Sequence, residues 1–170
     1  DWFDTVQNAF SGNAGQVISV LHSFVMSIRE DIRAKIEIDY MLKIMSRIVP
    51  KSSQLATENI SFLREGDLNK ISSKGRLDLY HFFLFSDTLL YCSTNMLNDA
   101  YKIHEQLPLI AMVVSDHTED TSGCSLYIKH PTKSFVVLCE DQNTKREWLR
   151  DLTRAIEDKK RRFQAHEKVV

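Results

Sequence analysis

The sequence predicts an α+β protein: a seven-stranded antiparallel β-sandwich or barrel capped by a C-terminal helix, with an N-terminal all-α extension. Three observations predict it. Between residues 62 and 139, seven short segments rich in β-branched and aromatic residues follow one another at even spacing, each bounded by turn residues. The last of these segments runs into a pattern with large apolar residues at 148, 149, 152, 155 and 156, one face of a helix. Upstream, apolar residues recur at close to the 3.6-residue helical period from Val17 to Ile48, with no Gly or Pro before Pro50.

The elements follow in order. Trp2, Val6 and Phe10 share one helical stripe. Ser11-Gly12-Asn13-Ala14-Gly15 predicts a break, and Asn13 with Gln16 three residues later predicts the capping box of a new helix. From Val17 the apolar positions are 17, 20, 21, 24, 25, 28, 32, 36, 41, 42, 44, 45 and 48. They imply one long helix, or two with a bend near Arg33–Asp39, whose stripe has to pack on residues 1–10 or on the β region. Residues 50–60, polar from Pro50-Lys51-Ser52 onward, read as a linker.

The strands come next. Phe62 to Ile71 alternates loosely around Gly66, as a strongly bent strand would. A turn at Ser72–Gly75 leads to Leu77–Phe85, and Ser86-Asp87 turns tightly into Thr88–Cys92. The remaining strands are Tyr101–His104, Leu109–Val114 after Pro108, Cys124–Ile128, and Phe135–Cys139 after a turn at His130–Lys133. Asp141 is placed to N-cap the closing helix. Beyond Ile156 comes the basic block Lys159-Lys160-Arg161-Arg162 beside Phe163. It suits a helix C-terminus, whose dipole favours cations, and equally a patch for an anionic membrane or partner.

Composition narrows the function classes. A chain of 170 residues holds one good core, or one domain plus an appendage. Its 43% apolar and 26% charged residues are ordinary for a globular protein. A net charge of −1 gives no bulk attraction to nucleic acid, so binding to an anionic surface needs a local patch. Cys92, Cys124 and Cys139 are odd in number, lack CxxC spacing and lie in apolar runs, so a reducing, cytoplasmic compartment is expected. No apolar run is long enough to span a bilayer, and no signal peptide is recognisable. The first residue is Asp1 rather than Met, which suggests a piece of something longer. The five glycines lie apart at turns and form no phosphate loop; no nucleophile motif is present. The histidines (His22, His81, His104, His117, His130 and His166) have no ligand spacing with the cysteines. His81, inside a strand, reads as a packing or surface residue. No enzyme activity, metal or cofactor is expected, and nucleic acid is not an expected partner.

Four separated segments carry a resemblance. Phe62-Leu63-Arg64-Glu65-Gly66-Asp67-Leu68 resembles the first strand of the pleckstrin-homology (PH) domains of Rho-family exchange factors. Phe83-Leu84-Phe85-Ser86-Asp87-Thr88-Leu89-Leu90-Tyr91 resembles their third-strand hairpin. Pro131-Thr132-Lys133-Ser134-Phe135 and then Lys145-Arg146-Glu147-Trp148 are similar to PH domains found beside FYVE zinc fingers. The resemblance implies a PH-type sandwich over 59–160, with Trp148 as its structural plug, a helical extension over 1–58 and a basic C-terminal tail over 161–170. Ile28-Arg29 through Arg33, Glu37, Leu42, Met45 and Val49 looks like the last helix of a Dbl-homology (DH) domain, which runs straight into a PH domain. The pattern from Trp2 to Phe10 also matches that of Trp148 to Ile156, as the closing helix of a preceding PH domain would.

By resemblance, phosphoinositides bind at the loop between the first two PH strands, and Lys70, Lys74 and Arg76 stand in those places. The family pattern wants a basic residue two positions after Arg76, where this chain has Asp78, so headgroup binding is expected to be weak and unselective. The leading reading is a membrane- and partner-docking PH module of a Rho-family guanine nucleotide exchange factor. Its expected partners are anionic lipids and a Rho-family small GTPase, with a homodimer through the N-terminal helix as a further expectation. The exchange chemistry itself would lie in DH helices mostly missing from these residues. A stand-alone PH-fold adaptor binding proteins through the long helix is the alternative, and an intact exchange factor of reduced size a third.

Overall fold

A computed structural model describes residues 2–49, 60–72, 74–95, 99–118 and 120–167, with side chains from Gly15 to His166 within those ranges. The chain divides into two compact units, Asp1–Leu42 and Lys43–Val170.

The first unit is one element. Helix α1 runs without interruption from Trp2 to Arg47, its last turn belonging to the second unit. The break expected at Ser11–Gly15, with its capping box at Asn13, does not form. Gly12 and Gly15 each weaken a helix by about 1 kcal/mol relative to Ala, but neither removes an amide donor as Pro would, so the hydrogen-bond ladder crosses them. Residues 2–10 are therefore the first turns of α1, not a separate closing helix; the stripe expected of Trp2, Val6 and Phe10 lies outside the described side chains. Of the linker expected at 50–60, residues 50–59 also lie outside the described residues. The apolar positions from Val17 to Ile36 are exposed, Phe24 at 62% and Ile36 at 65%, so this stripe is not covered as its periodicity requires.

The second unit is an eight-stranded sheet and one helix. The strands are β1 (Ile48–Val49), β2 (Phe62–Ile71), β3 (Leu77–Phe85), β4 (Thr88–Asn95), β5 (Ala100–Pro108), β6 (Val113–Asp116), β7 (Ser125–Lys129) and β8 (Phe135–Leu138). Their order across the sheet is β1-β5-β4-β3-β2-β8-β7-β6, antiparallel throughout except for β1 beside β5, where Ile48 pairs with Tyr101. Seven strands match the expectation in type and order; the two-residue β1 is an addition. One boundary moves. Leu109–Ala111 forms a single 3-10 turn, and β6 starts only at Val113. Three residues per turn put Leu109 and Met112 on one side, where both are fully buried.

The sheet curls so that side chains from β2, β3, β4, β5, β7 and β8 meet in one core with helix α2 (Gln142–Glu167). Asp141 caps α2 as expected: its carboxylate accepts the Thr144 amide at 2.7 Å, and these backbone donors hold its pKa below the usual carboxylate range. Trp148, Leu152, Ala155 and Ile156 of α2 are at most 5% exposed. Gly66 faces the indole: a Cβ there would sit 3.4 Å from the ring, in van der Waals contact. Lys145, itself buried, ties the 116–123 loop to α2 through Asp116 (2.5 Å) and the Gly123 carbonyl (2.9 Å). A smaller cluster occupies the opposite face: Phe83, Phe85, Leu90 and Cys92 are fully buried there, with the Phe83 and Tyr101 rings 4.9 Å apart. The uninterrupted run Phe82-Phe83-Leu84-Phe85 is what a strand end buried on both faces requires. Burial pushes the Cys92 thiol up to about 12 and the Cys139 thiol to about 11, so both stay protonated.

Candidate functional site

The inward side chains of β2 lead from the plugged end of the barrel to its open mouth. Arg64 meets α2, pairing with Glu147 at 2.7 Å and Asp151 at 2.8 Å while its guanidinium lies 5.1 Å from the Trp148 ring. Burial opposes the Arg64 charge, but the two carboxylates outweigh it and hold the pKa above its usual value. Gly66 then faces the indole, and Leu68 is core. Lys70 comes last, its ammonium 5.4 Å from the Phe135 ring and 5.7 Å from the Tyr91 ring. Burial, and after it the nearby Lys133, lower its pKa.

The hairpin beyond Lys70 is shaped by Ser72. Its amide donates to the Arg76 carbonyl (2.8 Å), its carbonyl accepts from Gly75 (2.9 Å) and its hydroxyl accepts from the Arg76 amide (2.9 Å). Gly75 supplies the positive φ of 75° that this turn needs. The three expected lipid-binding residues have different surroundings. Lys70 points into the mouth and Lys74 is exposed at the hairpin tip. Arg76 is held by Asp78 through two contacts, 2.8 and 3.1 Å. Asp78 thus occupies the neighbouring guanidinium besides standing where a cation was expected.

Other side chains complete the mouth. Lys133, in the β7–β8 turn, lies 5.9 Å from the Tyr91 ring and 3.3 Å from Glu105. The Tyr91 hydroxyl and then Glu105 raise its pKa. Lys102 and His104 of β5 are at the surface, and the His104 ring lies edge-on to Tyr80 at 4.9 Å and parallel to Tyr91 at 6.3 Å. Burial lowers the His104 pKa, followed by Lys102, Lys133 and Lys70. Tyr91 is 1% exposed. Three ammonium groups, those of Lys70, Lys102 and Lys133, thus bear on His104 beside the Tyr91 ring and make this mouth a cationic cup. Sequence reasoning missed Lys102, His104 and Lys133. The Pro131-Thr132-Lys133 turn was visible as a motif, but the facing of His104 depends on a pairing irregularity that no local pattern reveals.

The basic block is a strap more than a patch. Lys159 bonds Asp87 at 2.9 Å, Arg162 donates to the Ser86 carbonyl at 2.7 Å and reaches Asp87 at 3.3 Å, and Arg161 pairs with Asp158. Among the described residues Lys160 alone of the four makes no ion pair. The block is helical, because α2 continues to Glu167, past the boundary expected at 160. Trp148 sits where the sequence puts it, 2% exposed under α2. Among the described residues no His, Cys, Asp and Glu groups are arranged to hold a metal ion, and no helix is long and apolar enough to cross a membrane.

Comparison with known proteins agrees with this architecture. The chain is 37% identical over 97 residues to human FYVE, RhoGEF and PH domain-containing protein 6, and 34% identical over 99 residues to chicken FERM, ARHGEF and pleckstrin domain-containing protein 1. These matches cover 57% and 56% of this chain but only 7% and 9% of those proteins, so the chain spans less than a tenth of the relatives' length. Among solved structures, the DH/PH domain of human ARHGEF11, in a ternary complex with human RhoA and its inhibitor, aligns with a TM-score of 0.63 at 14% identity over 77% of this chain and 42% of that one. Autoinhibited Vav1 aligns with a TM-score of 0.61 at 18% identity, covering 73% of this chain and 23% of that one. Residues 57–155, more than half of the chain, match the SOS1/NGEF-like PH domain family, and the chain belongs to that family.

Proposed function

We propose that this chain is the docking module of a Rho-family guanine nucleotide exchange factor, held to anionic membranes by weak, mainly electrostatic phosphoinositide binding. The carrying observation is the cup at the open mouth, where Lys70 and Lys133 lie beside the Tyr91 ring and, with Lys102, bear on His104. Cations fixed on strands hold a phosphate without first being gathered from solvent. The selectivity of a fork-shaped guanidinium is missing because Arg76 is engaged by Asp78. Binding is therefore expected to depend on headgroup charge more than on isomer, and to fall steeply with salt. The test is sedimentation of the full chain with phosphatidylcholine vesicles carrying different phosphoinositides, with Lys70→Glu and Lys133→Glu as variants. Loss of binding in both variants supports the reading; tight, isomer-selective binding, or binding indifferent to both, overturns it. A Rho-type GTPase is the proposed protein partner of the parent molecule.

A second reading, a stand-alone adaptor, is favoured by the exposed apolar side chains of α1 between Val17 and Ile36. Such a face suits a protein partner or a second copy. A nucleotide-release assay with Rho- and Rac-type GTPases separates the two readings: release stimulated by the parent protein supports the exchange factor, and none supports the adaptor.

A further inference from the structure

His104 is the one residue of the mouth to which the proposed docking assigns no task. Between β4 and β5 the register slips at one point: Tyr91 pairs with Glu105, whereas Cys92 pairs with Ile103. The extra residue is His104, which has no cross-strand partner. A one-residue bulge of this kind re-aims a side chain and is enriched beside functional sites. Here it sets the imidazole against Tyr80 and Tyr91 on the side where the lysines gather. The charged and titratable groups facing it are Lys70 of β2, Tyr80 of β3, Tyr91 of β4, Lys102 and Glu105 of β5, and Lys133 of the β7–β8 turn. Glu105 is the acid among them, and Lys133 already engages it.

We infer that His104 is a proton-linked member of this cup, adding a positive charge when a phosphomonoester occupies it, so that the module binds more tightly as pH falls. The inference rests on reading the mouth as a phosphate site. With the cup empty, burial and three ammonium groups disfavour the imidazolium and lower the His104 pKa. A phosphate dianion among the same lysines reverses the sign of the local field and favours it. Binding then takes up a proton, and by linkage affinity rises as pH falls through the imidazole range and is lost again as pH rises.

The test uses the full chain with phosphatidylcholine vesicles containing phosphatidylinositol 4,5-bisphosphate, and in parallel with soluble inositol trisphosphate, from about pH 8 to about pH 5.5. One added charge near the ligand is expected to tighten binding about fivefold at the acid end. His104→Gln is expected to lose that gain, its affinity changing less between the two ends of the range than that of wild type. Tightening with the soluble trisphosphate as well assigns the effect to the phosphates themselves; tightening on vesicles alone assigns it to the lipid-embedded headgroup. An unchanged pH slope in His104→Gln overturns the inference while leaving the docking reading intact. Absence of wild-type binding to either probe at every pH overturns the docking reading, and the inference with it.

Discussion

The two helices of this chain show the same kind of sequence pattern and meet opposite fates. In α2 the large apolar residues Trp148, Leu152 and Ile156 are at most 5% exposed beneath a curled sheet. In α1 Val17, Phe24 and Ile36 repeat at the same period and are between 55% and 65% exposed. Periodicity shows that a face exists; it carries no information on what covers it. Among the described residues α2 is held by tertiary packing, while α1 from Gly15 to Ile36 is left to local helix-forming tendency. That distinction separates the two helices: α2 closes the core, whereas the α1 side chains between Val17 and Ile36 are exposed.

The contrast is broken most directly by truncating one large side chain in each helix. Trp148→Ala is expected to lower the stability of the β-rich unit by about 3–5 kcal/mol, since it opens a void between α2 and Gly66 that the strands cannot close. Phe24→Ala is expected to change it by no more than about 0.5 kcal/mol, because that ring is 62% exposed. Urea unfolding of both variants, followed by circular dichroism, reads the difference. Equal losses would mean that α1 packs as α2 does.

A smaller effect sharpens the account of α2. Arg64 joins β2 to this helix through Glu147 and Asp151. Arg64→Met keeps much of the stem that lies beside Trp148 and deletes both pairs; with solvent screening, about 1 kcal/mol of stability is expected to be lost. The pH dependence has a definite sign. For Glu147 the Arg64 hydrogen bond is the main cause of a folded-state pKa below the unfolded one. For Asp151 burial works upward, and the bonds to Arg150 and Arg64 overcome it to give a net depression. Depressed carboxylates stabilise the fold at pH above the unfolded values near 4, and that contribution is lost as pH falls through the lower folded values. Wild type is therefore expected to lose stability below about pH 4, and Arg64→Met to lose less over the same range. Parallel curves would show that the bridge contributes nothing.

Much of the second unit was legible in advance because its signals are local and mutually consistent. Phe82 to Phe85 announces a strand end buried on both sides, Asp141 a cap, and Trp148 a helix that plugs a barrel. The site was legible only in part. Lys70 faces the mouth because β2 alternates regularly from Arg64 onward, so its direction follows from Leu68. His104 faces it because of a bulge, and a bulge arises from how two strands fit together. The ion pairs of the basic block escaped notice for a similar reason: its counter-ion, Asp87, lies 72 positions upstream of Lys159 and meets it only in the folded chain. At Gly12 and Gly15 the error had the opposite cause. Turn-forming composition was allowed to outweigh the helical residues on either side, whose hydrogen bonds two separated glycines do not interrupt.

The smallest expected effect tests α1 alone. Gly15 stands inside the helix with nothing within 4 Å of where a Cβ would go, so Gly15→Ala adds a methyl group without a clash. If backbone tendency limits α1, the substitution removes conformational freedom from the unfolded segment and favours the helix by up to about 1 kcal/mol. Slower amide hydrogen exchange is expected near residue 15, with no change in the urea midpoint of the β-rich unit. Had an unseen contact been holding this segment, the added methyl would leave exchange unaltered, because opening would then be governed by the contact and not by the backbone.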